Sequence, residues 1–307
     1  MSRPKILVIA GWERSGSTIL ANVLGSADGV VTLGEINNIW ERGFGANLMC
    51  ACERPFSECA VWRPIATAAF DEDRSAVARR AAAAIAPMGN TWLIRRRLPW
   101  LGRHQTERST PYAELLAPLY AAAGDVTGAR VLVDASKSPW HAAVAYNLDE
   151  FEAYVVHLVR DPRGVAHSLR KTVRYDADDT KDIYMDRHGV TKSSLAWVYR
   201  SRLIESTWRD KPRFMLLRYE DFVAAPRGAV AHMLEWMGLP DLDVPFSAED
   251  EVEVRLSHNV SGNPVRFRKG PVRLSSDEEW RTALPRATAR YVRAITWPHM
   301  RHFGYGA

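Results

Sequence analysis

The stretch Lys5–Leu20, KILVIAGWERSGSTIL, constrains this chain more than any other. Its apolar run, Ile6–Ala10, reads as a buried strand, and Gly11 opens a turn. Arg14-Ser15-Gly16-Ser17-Thr18 follows, and Ile19-Leu20-Ala21-Asn22-Val23-Leu24 has the pattern of a helix. A strand, a glycine-bounded loop and a helix in that order point successive backbone N–H groups and a helix N-terminus at an anion. Arg14 adds a cation to the loop. Alone, the stretch also suits an ordinary strand–turn–helix with a serine-rich cap, so the rest of the chain has to decide.

The spacing Gly11-x4-Gly16-x-Thr18 matches the P-loop pattern except that Ser17 stands where that pattern has lysine. The lysine reaches the β- and γ-phosphates of a nucleoside triphosphate, so its absence argues against ordinary ATP or GTP chemistry while the cradle still suits a phosphate. The chain has 307 residues, 47% hydrophobic and 25% charged, which is the make-up of a globular enzyme with a sizeable core. The net charge of +5 favours anionic ligands. The arginines are spread along the chain without a zinc-finger, RRM or helix-turn-helix signature, so nucleic acid is not expected. The first strand begins almost at the N-terminus, leaving no room for a signal peptide, and no apolar run nears the roughly 18–20 residues of a membrane span. A cytoplasmic location is the resulting expectation.

Three further apolar runs repeat the opening pattern. Val131-Leu132-Val133 leads into Asp134-Ala135-Ser136-Lys137-Ser138-Pro139; Tyr154–Val159 leads into Arg160-Asp161-Pro162-Arg163-Gly164; Phe214–Leu217 leads into Arg218-Tyr219-Glu220-Asp221. Helices are expected after each, over 139–148, 163–174 and 226–237. Val30–Leu33 is a further short strand, ending at Gly34-Glu35. Strands alternating with helices imply a parallel sheet, and ligands of such sheets bind beyond the carboxyl ends of the strands. The expected fold is therefore α/β: a three-layer, P-loop-type arrangement with a central parallel sheet flanked by helices. One domain over 1–307 is expected, with inserted lid segments near 37–125 and 175–189. Several segments that switch from apolar to charged at a strand end should converge on one edge.

Between these runs, Asn37 to Trp62 reads as an irregular surface loop over the sheet edge, and 63–86 as alanine-rich helix. Thr91–Trp100, TWLIRRRLPW, is either an acceptor-binding wall or an amphipathic helix with a solvated arginine face. Pro111–Ala123 reads as a helix, as does Thr191–Trp208, whose Trp197 and Trp208 are expected in the core. Residues 258–274, HNVSGNPVRFRKGPVRL, are too rich in Gly, Pro and Arg for a regular element, and Pro285–Trp297 closes the chain as helix. All three cysteines, Cys50, Cys52 and Cys59, fall in MCACERPFSECAVW. A reducing compartment disfavours a disulfide, and a zinc site needs a fourth ligand with no histidine nearby in sequence. Reduced thiols without a part in the chemistry are the expectation, and no metal is expected.

Taken together, the motifs resemble those of the sulfotransferases that use 3′-phosphoadenosine 5′-phosphosulfate (PAPS), especially the bacterial and tyrosylprotein members. GWERSGSTIL is similar to the 5′-phosphosulfate loop, and VVHLVRDPRGVAHSLRK (155–171) to the 3′-phosphate segment, with a serine eight residues after the first arginine. LRYEDF (217–222) and RFRKG (266–270) are the third and fourth resemblances, so together they run from residue 6 to about 280. The resemblance implies Arg14, Ser15, Gly16, Ser17 and Thr18 at the 5′ end of the donor. It implies Arg160, Ser168 and the loop Arg266, Arg268, Lys269 and Gly270 at the 3′ end, since a guanidinium fork and a hydroxyl both donate to phosphate oxygens. Tyr219 either contacts the cofactor or packs on the following helix.

For the chemical step the resemblance implies Glu35 as the base and Lys137, with Arg14, near the transferring sulfonate. Tyrosylprotein members carry Glu-Glu where this chain has Glu35-Ile36, so the register of the base is open by one residue. Glu35 as an exposed strand-end carboxylate is the alternative, with His104 the other candidate base. The implied activity moves a sulfonate from PAPS to a hydroxyl or amine, leaving 3′,5′-ADP. The acceptor is a small molecule, lipid or carbohydrate that the sequence does not identify, and homo-oligomerisation stays open. The competing readings are a small-molecule kinase of the P-loop class, with VLVDAS as its Walker B strand, and a non-catalytic nucleotide-binding protein.

Overall fold

The computed structural model describes residues 3–88, 110–174 and 184–306. Five strands form one parallel sheet: β1 (Lys5–Gly11), β2 (Val30–Gly34), β3 (Val131–Lys137), β4 (Ala153–Val159) and β5 (Phe214–Arg218), in the order β2-β3-β1-β4-β5. β1, β3 and β4 are near-continuous apolar runs because both their faces are covered. Alternate residues of β1 serve opposite cores: Ile6, Val8 and Ala10 one face, Leu7 and Ile9 the other. The expected three layers are those of the structure. Among the described residues no helix is long and apolar enough to cross a membrane.

The helices follow in chain order: α1 (Ser17–Leu24), α2 (Ile36–Ile39), α3 (Trp62–Ala69), α4 (Arg74–Ile85), α5 (Thr110–Thr127), α6 (Pro139–Tyr146), α7 (Pro162–Ser168), α8 (Val190–Trp208), α9 (Tyr219–Ala224), α10 (Pro226–Trp236), α11 (Trp280–Ala283) and α12 (Arg286–His302). Their starts are chemically marked. Asp161 caps α7 by accepting from the Arg163 amide at 2.8 Å, and Pro162 sits at the first helical position, where no N–H is needed. Asp73 caps α4 in the same way through the Ala76 amide. Trp197 and Trp208 of α8 are buried in the core, as their spacing predicts.

Two readings need correction. The stretch from Asn37 to Trp62 is not a surface loop. After α2 it forms a π-helical turn (Trp40–Gly45) and a 3-10 turn (Phe56–Glu58), and Trp40, Phe44, Cys50, Phe56, Cys59 and Trp62 are buried. Their rings pack in sequence: Trp40 stacks on Phe44 at 5.6 Å, while Phe44 packs at a tilt on Phe56 at 5.0 Å, as does Phe56 on Trp62 at 5.5 Å. Irregular backbone tolerates this burial because its polar groups find local partners, such as the Leu48 amide on Arg42 O (2.8 Å) and the Phe56 amide on Leu48 O (3.1 Å). The second correction concerns 258–274. Its end, Gly270–Arg273, is strand β7, which pairs antiparallel with β6 (Glu251–Val254), and a 3-10 turn spans Pro264–Phe267. The apolar side of this strand pair, Val252 and Val254, joins Leu20, Val23 and Leu24 of α1 in one buried cluster.

Candidate active site

At the carboxyl ends of β1 to β5 lies a cavity of about 590 Å³, a size common among small-molecule sites. Arg14, Gly16, Ser17 and Thr18 line it from the loop after β1, Glu35 from the end of β2, Lys137 from β3, Arg160 and Ser168 from the β4–α7 segment, and Tyr219 from β5–α9. The convergence expected from the sequence is therefore present. His104 and the segment Thr91–Trp100 lie outside the described residues.

The loop after β1 is held open by backbone geometry. Gly16 has φ +90°, and a Cβ there would sit 2.5 Å from Cδ2 of Tyr219, so only glycine lets the ring lie against the loop. Arg14 adopts φ 62° and is partly buried, and burial lowers its pKa. Its Nη2 and the Ser15 hydroxyl are buried without a hydrogen-bond partner among the described residues. Arg14, which lines the cavity, thus leaves a donor over beside a helix N-terminus, a setting suited to an anion.

Glu35 and Lys137, from different strands, form a direct ion pair with little solvent exposure. Lys137 donates to Glu35 Oε1 and to the Ala135 carbonyl at 3.2 Å. Asn38 donates to Glu35 Oε2 at 2.6 Å, and Ser261 Oγ donates to the same oxygen at 3.3 Å. Burial would raise the Glu35 pKa, but Lys137, then Arg42 and Asn38, outweigh it and hold the carboxyl below its ordinary value. Glu35 is therefore ionised and unprotonated near neutral pH, as a general base must be. Lys137 sits at φ 61°, an uncommon backbone state for a residue with a side chain, at the point where β3 leaves the sheet.

The loop after β3 is braced from below. Asp134, fully buried, accepts from the Ser136 amide at 2.9 Å and the Tyr120 hydroxyl at 2.6 Å, and pairs with His141 Nε2 at 2.6 Å. Ser136 in turn accepts from the Asn37 amide at 3.0 Å. Asp134 thus anchors the loop rather than facing the cavity, which removes the Walker B role that VLVDAS suggested.

Arg160 is buried and lines the cavity. It stacks on the Tyr219 ring at 4.6 Å and donates to Arg14 O (3.1 Å), to Asp277 O (2.9 Å) and to Asp277 Oδ2 (3.0 Å). Its carboxylate partner is thus Asp277 and not Asp161, which holds Arg163. Tyr219 is buried, packs on Gly16 of the loop after β1 and lines the cavity.

The tail loop is placed differently from the residues picked within it. Arg266 is buried, donating to Gly262 O at 2.8 Å and lying over the Phe267 ring at 4.3 Å. Arg268 and Lys269 are exposed, and neither they nor Gly270 line the cavity. The loop reaches the site through Gly262, Asn263 and Val265 instead. Gly262, at φ +124°, brings its backbone so close that a Cβ would lie 3.5 Å from both Glu35 Oε1 and Thr18 Oγ1. Asn37, Asn38, Arg42, Arg200 and Asp277 also line the cavity and were not singled out from sequence. The Ser-Gly-Asn turn signal at 261–263 was the one available pointer to its part of the wall.

Residues 4–243 match the family model described as Sulfotransferase family. Over 165 residues the chain is 28% identical to human carbohydrate sulfotransferase 3, covering 49% of this chain and 33% of that protein. The chain thus spans about a third of the length of the curated relative it matches. Among solved structures, the sulfotransferase domain of the Synechococcus PCC 7002 olefin synthase aligns over 97% of this chain and 96% of that domain, with TM-score 0.53 at 19% identity, a likeness of fold. With four fifths of its length under one family model, the chain belongs to the sulfotransferase family.

Proposed function

We propose that this chain transfers a sulfonate group from PAPS to a hydroxyl or amine of a small-molecule, lipid or carbohydrate acceptor, releasing 3′,5′-ADP. The observation that carries the reading is the composition of one cavity wall. A loop with a leftover donor, Arg14 Nη2, and a second cationic station, Arg160 with Ser168, share the cavity with the Glu35–Lys137 pair. A donor with phosphate groups at both its 5′ and 3′ ends asks for two such stations.

The loop amides, Arg14, Ser17 and Thr18 would hold the 5′-phosphosulfate; Arg160 and Ser168 would hold the 3′-phosphate, with the adenosine between them. PAPS, when bound, supplies a sulfonate on a good leaving group. The chain's own residues do the rest by positioning and electrostatics. Glu35 accepts the acceptor's proton at a carboxylate oxygen. Lys137, already aimed at that carboxylate, stabilises negative charge developing on the leaving side, assisted by Arg14.

Binding of 3′,5′-ADP without divalent cation, measured by calorimetry, together with turnover of labelled PAPS on an acceptor panel, tests the proposal. A chain that binds Mg-ATP and ignores 3′,5′-ADP would instead be a kinase. Binding of 3′,5′-ADP without turnover on any acceptor would leave a non-catalytic nucleotide-binding protein. Ser17 in the lysine position and the inward-facing Asp134 both weigh against the kinase.

A further inference from the structure

We propose that Cys50, Cys52, Cys59 and His258 form a structural Zn²⁺ site that pins the tail loop onto the active-site wall. The three thiols come from one stretch, Cys50 and Cys59 buried and Cys52 half-buried, and the imidazole from a segment 199 residues after Cys59. Cys59 Sγ lies 3.6 Å from Cys50 Sγ, 3.7 Å from Cys52 Sγ and 3.2 Å from His258 Nδ1, and Cys50 Sγ lies 3.8 Å from the same nitrogen. All four ligand atoms fall within 4.8 Å of one another. A tetrahedron with Zn–S of about 2.3 Å and Zn–N of about 2.0–2.1 Å has S···S edges of about 3.8 Å and S···N edges of about 3.6 Å. The four separations given, from 3.2 to 3.8 Å, fall close to those edges, and the other two do not exceed 4.8 Å. The thiols are not joined to one another, and an odd number of them could not all pair within the chain.

The donor set and its surroundings both select this ion. Three thiolates and an imidazole in tetrahedral array favour Zn²⁺ over cations that prefer oxygen ligands. With all four positions filled by protein, the site has no open place for substrate and serves structure. Its surroundings hold the two segments in register. The Trp62 amide donates to Cys59 Sγ at 3.5 Å, while the Trp62 indole N–H donates to the His258 carbonyl. The Ala51 amide donates to Asn259 O at 3.0 Å, and Cys50 to Arg54 is closed into a tight turn by the Cys50 amide on Arg54 O at 2.8 Å. Such outer contacts orient ligands before the metal arrives.

The position of the site gives it a role. Three residues after His258, Ser261 donates to Glu35 and accepts from Arg42 Nη1 at 2.8 Å, and Gly262 presses its backbone between Glu35 and Thr18. A metal at the cluster fixes the start of this loop, and so the wall against which Glu35 is held. The inference is independent of which group the enzyme transfers.

Elemental mass spectrometry on the full chain, purified reduced in chelator-free buffer, reads the site directly. About one equivalent of zinc per chain is expected, lost in Cys52→Ser and His258→Ala and retained in His258→Cys, which rebuilds a four-ligand set. Cobalt substitution should give the thiolate charge-transfer and intense d–d bands of tetrahedral Co²⁺, and chelation should lower the Tm until Zn²⁺ is returned. A folded, reduced chain that carries no stoichiometric zinc and gives no tetrahedral cobalt spectrum overturns the proposal. So does equal metal content in His258→Ala and His258→Cys, or a disulfide between two of the thiols in the native protein.

Discussion

The chemistry proposed for this chain turns on two side chains that the sequence separates by a hundred residues and the structure brings into contact. Glu35 and Lys137 neutralise each other, so the removal of either is felt twice. Glu35→Gln keeps the shape and removes the basicity; kcat should fall about 10²–10⁴-fold with 3′,5′-ADP affinity by calorimetry little changed. The loss should shrink for acceptors already ionised at the assay pH. Lys137→Ala should slow all acceptors alike, by about 10²–10³-fold. Because the folded Glu35 pKa lies below its ordinary value of 4.5, the ionised carboxylate contributes stability that is fully present above that value. That contribution is lost as pH falls through the lowered folded value. Urea unfolding of wild type and Glu35→Gln should therefore differ by a constant amount at neutral pH and converge only in strong acid. A difference that already fades between pH 7 and 5 would contradict the pairing. Arg160→Ala, tested with PAPS and with adenosine 5′-phosphosulfate, should erase most of the preference for the 3′-phosphorylated donor, about 1.5–3 kcal/mol or on the order of 10- to 150-fold.

At the scale of elements, the loop between β1 and α1 works only because Gly16 and Tyr219 share one space. Gly16→Ala should cost roughly 1–3 kcal/mol for the backbone conformation, plus the displacement of the ring. In a Tyr219→Leu background the same substitution should cost less, a coupling that a double-mutant cycle in denaturant measures. Equal cost in both backgrounds would mean the ring yields freely. The elements around this loop were legible in the sequence because four strands begin as near-continuous apolar runs that end in charge: IAGWER, VDASK, VRDPR, LRYED. What was not legible has a common cause. The stretch 37–62 lacks any period, so nothing in it announces burial, although six large or sulfur-bearing side chains pack there. The pairing of β7 with β6 was hidden by Gly270 and Pro271, residues that ordinarily argue against a strand. In the tail loop, charge drew attention to Arg266, Arg268 and Lys269, whereas the cavity is touched by the small residues before them, which need no charge because they act through backbone approach. Asp277, the partner of Arg160, and His258 lie too far along the chain for any local pattern to connect them.

For the molecule as a whole, the sheet supplies the anion cradle from its centre and the last quarter of the described chain supplies the cover. The ligand 3′,5′-ADP at a hundred times its Kd should stabilise the folded state by about 2.7 kcal/mol, without divalent cation. An Arg160→Ala chain should show a smaller gain at the same ligand concentration, since half of the proposed 3′ station is gone. The same architecture has a consequence for how the protein comes into being. Ser261 meets Glu35 across 226 residues and Val265 O meets the Asn22 amide group across 243. At roughly 5–20 residues per second, a ribosome needs on the order of ten to forty-five seconds to travel from Glu35 to Ser261. Within that interval the remaining sheet strands, β3 to β5, are made, while Glu35 and the loop after β1 still lack the wall that Ser261 and Gly262 supply. The wall around Glu35 is therefore completed only after every strand of the sheet has been made, so the scaffold precedes the proposed site in the order of synthesis.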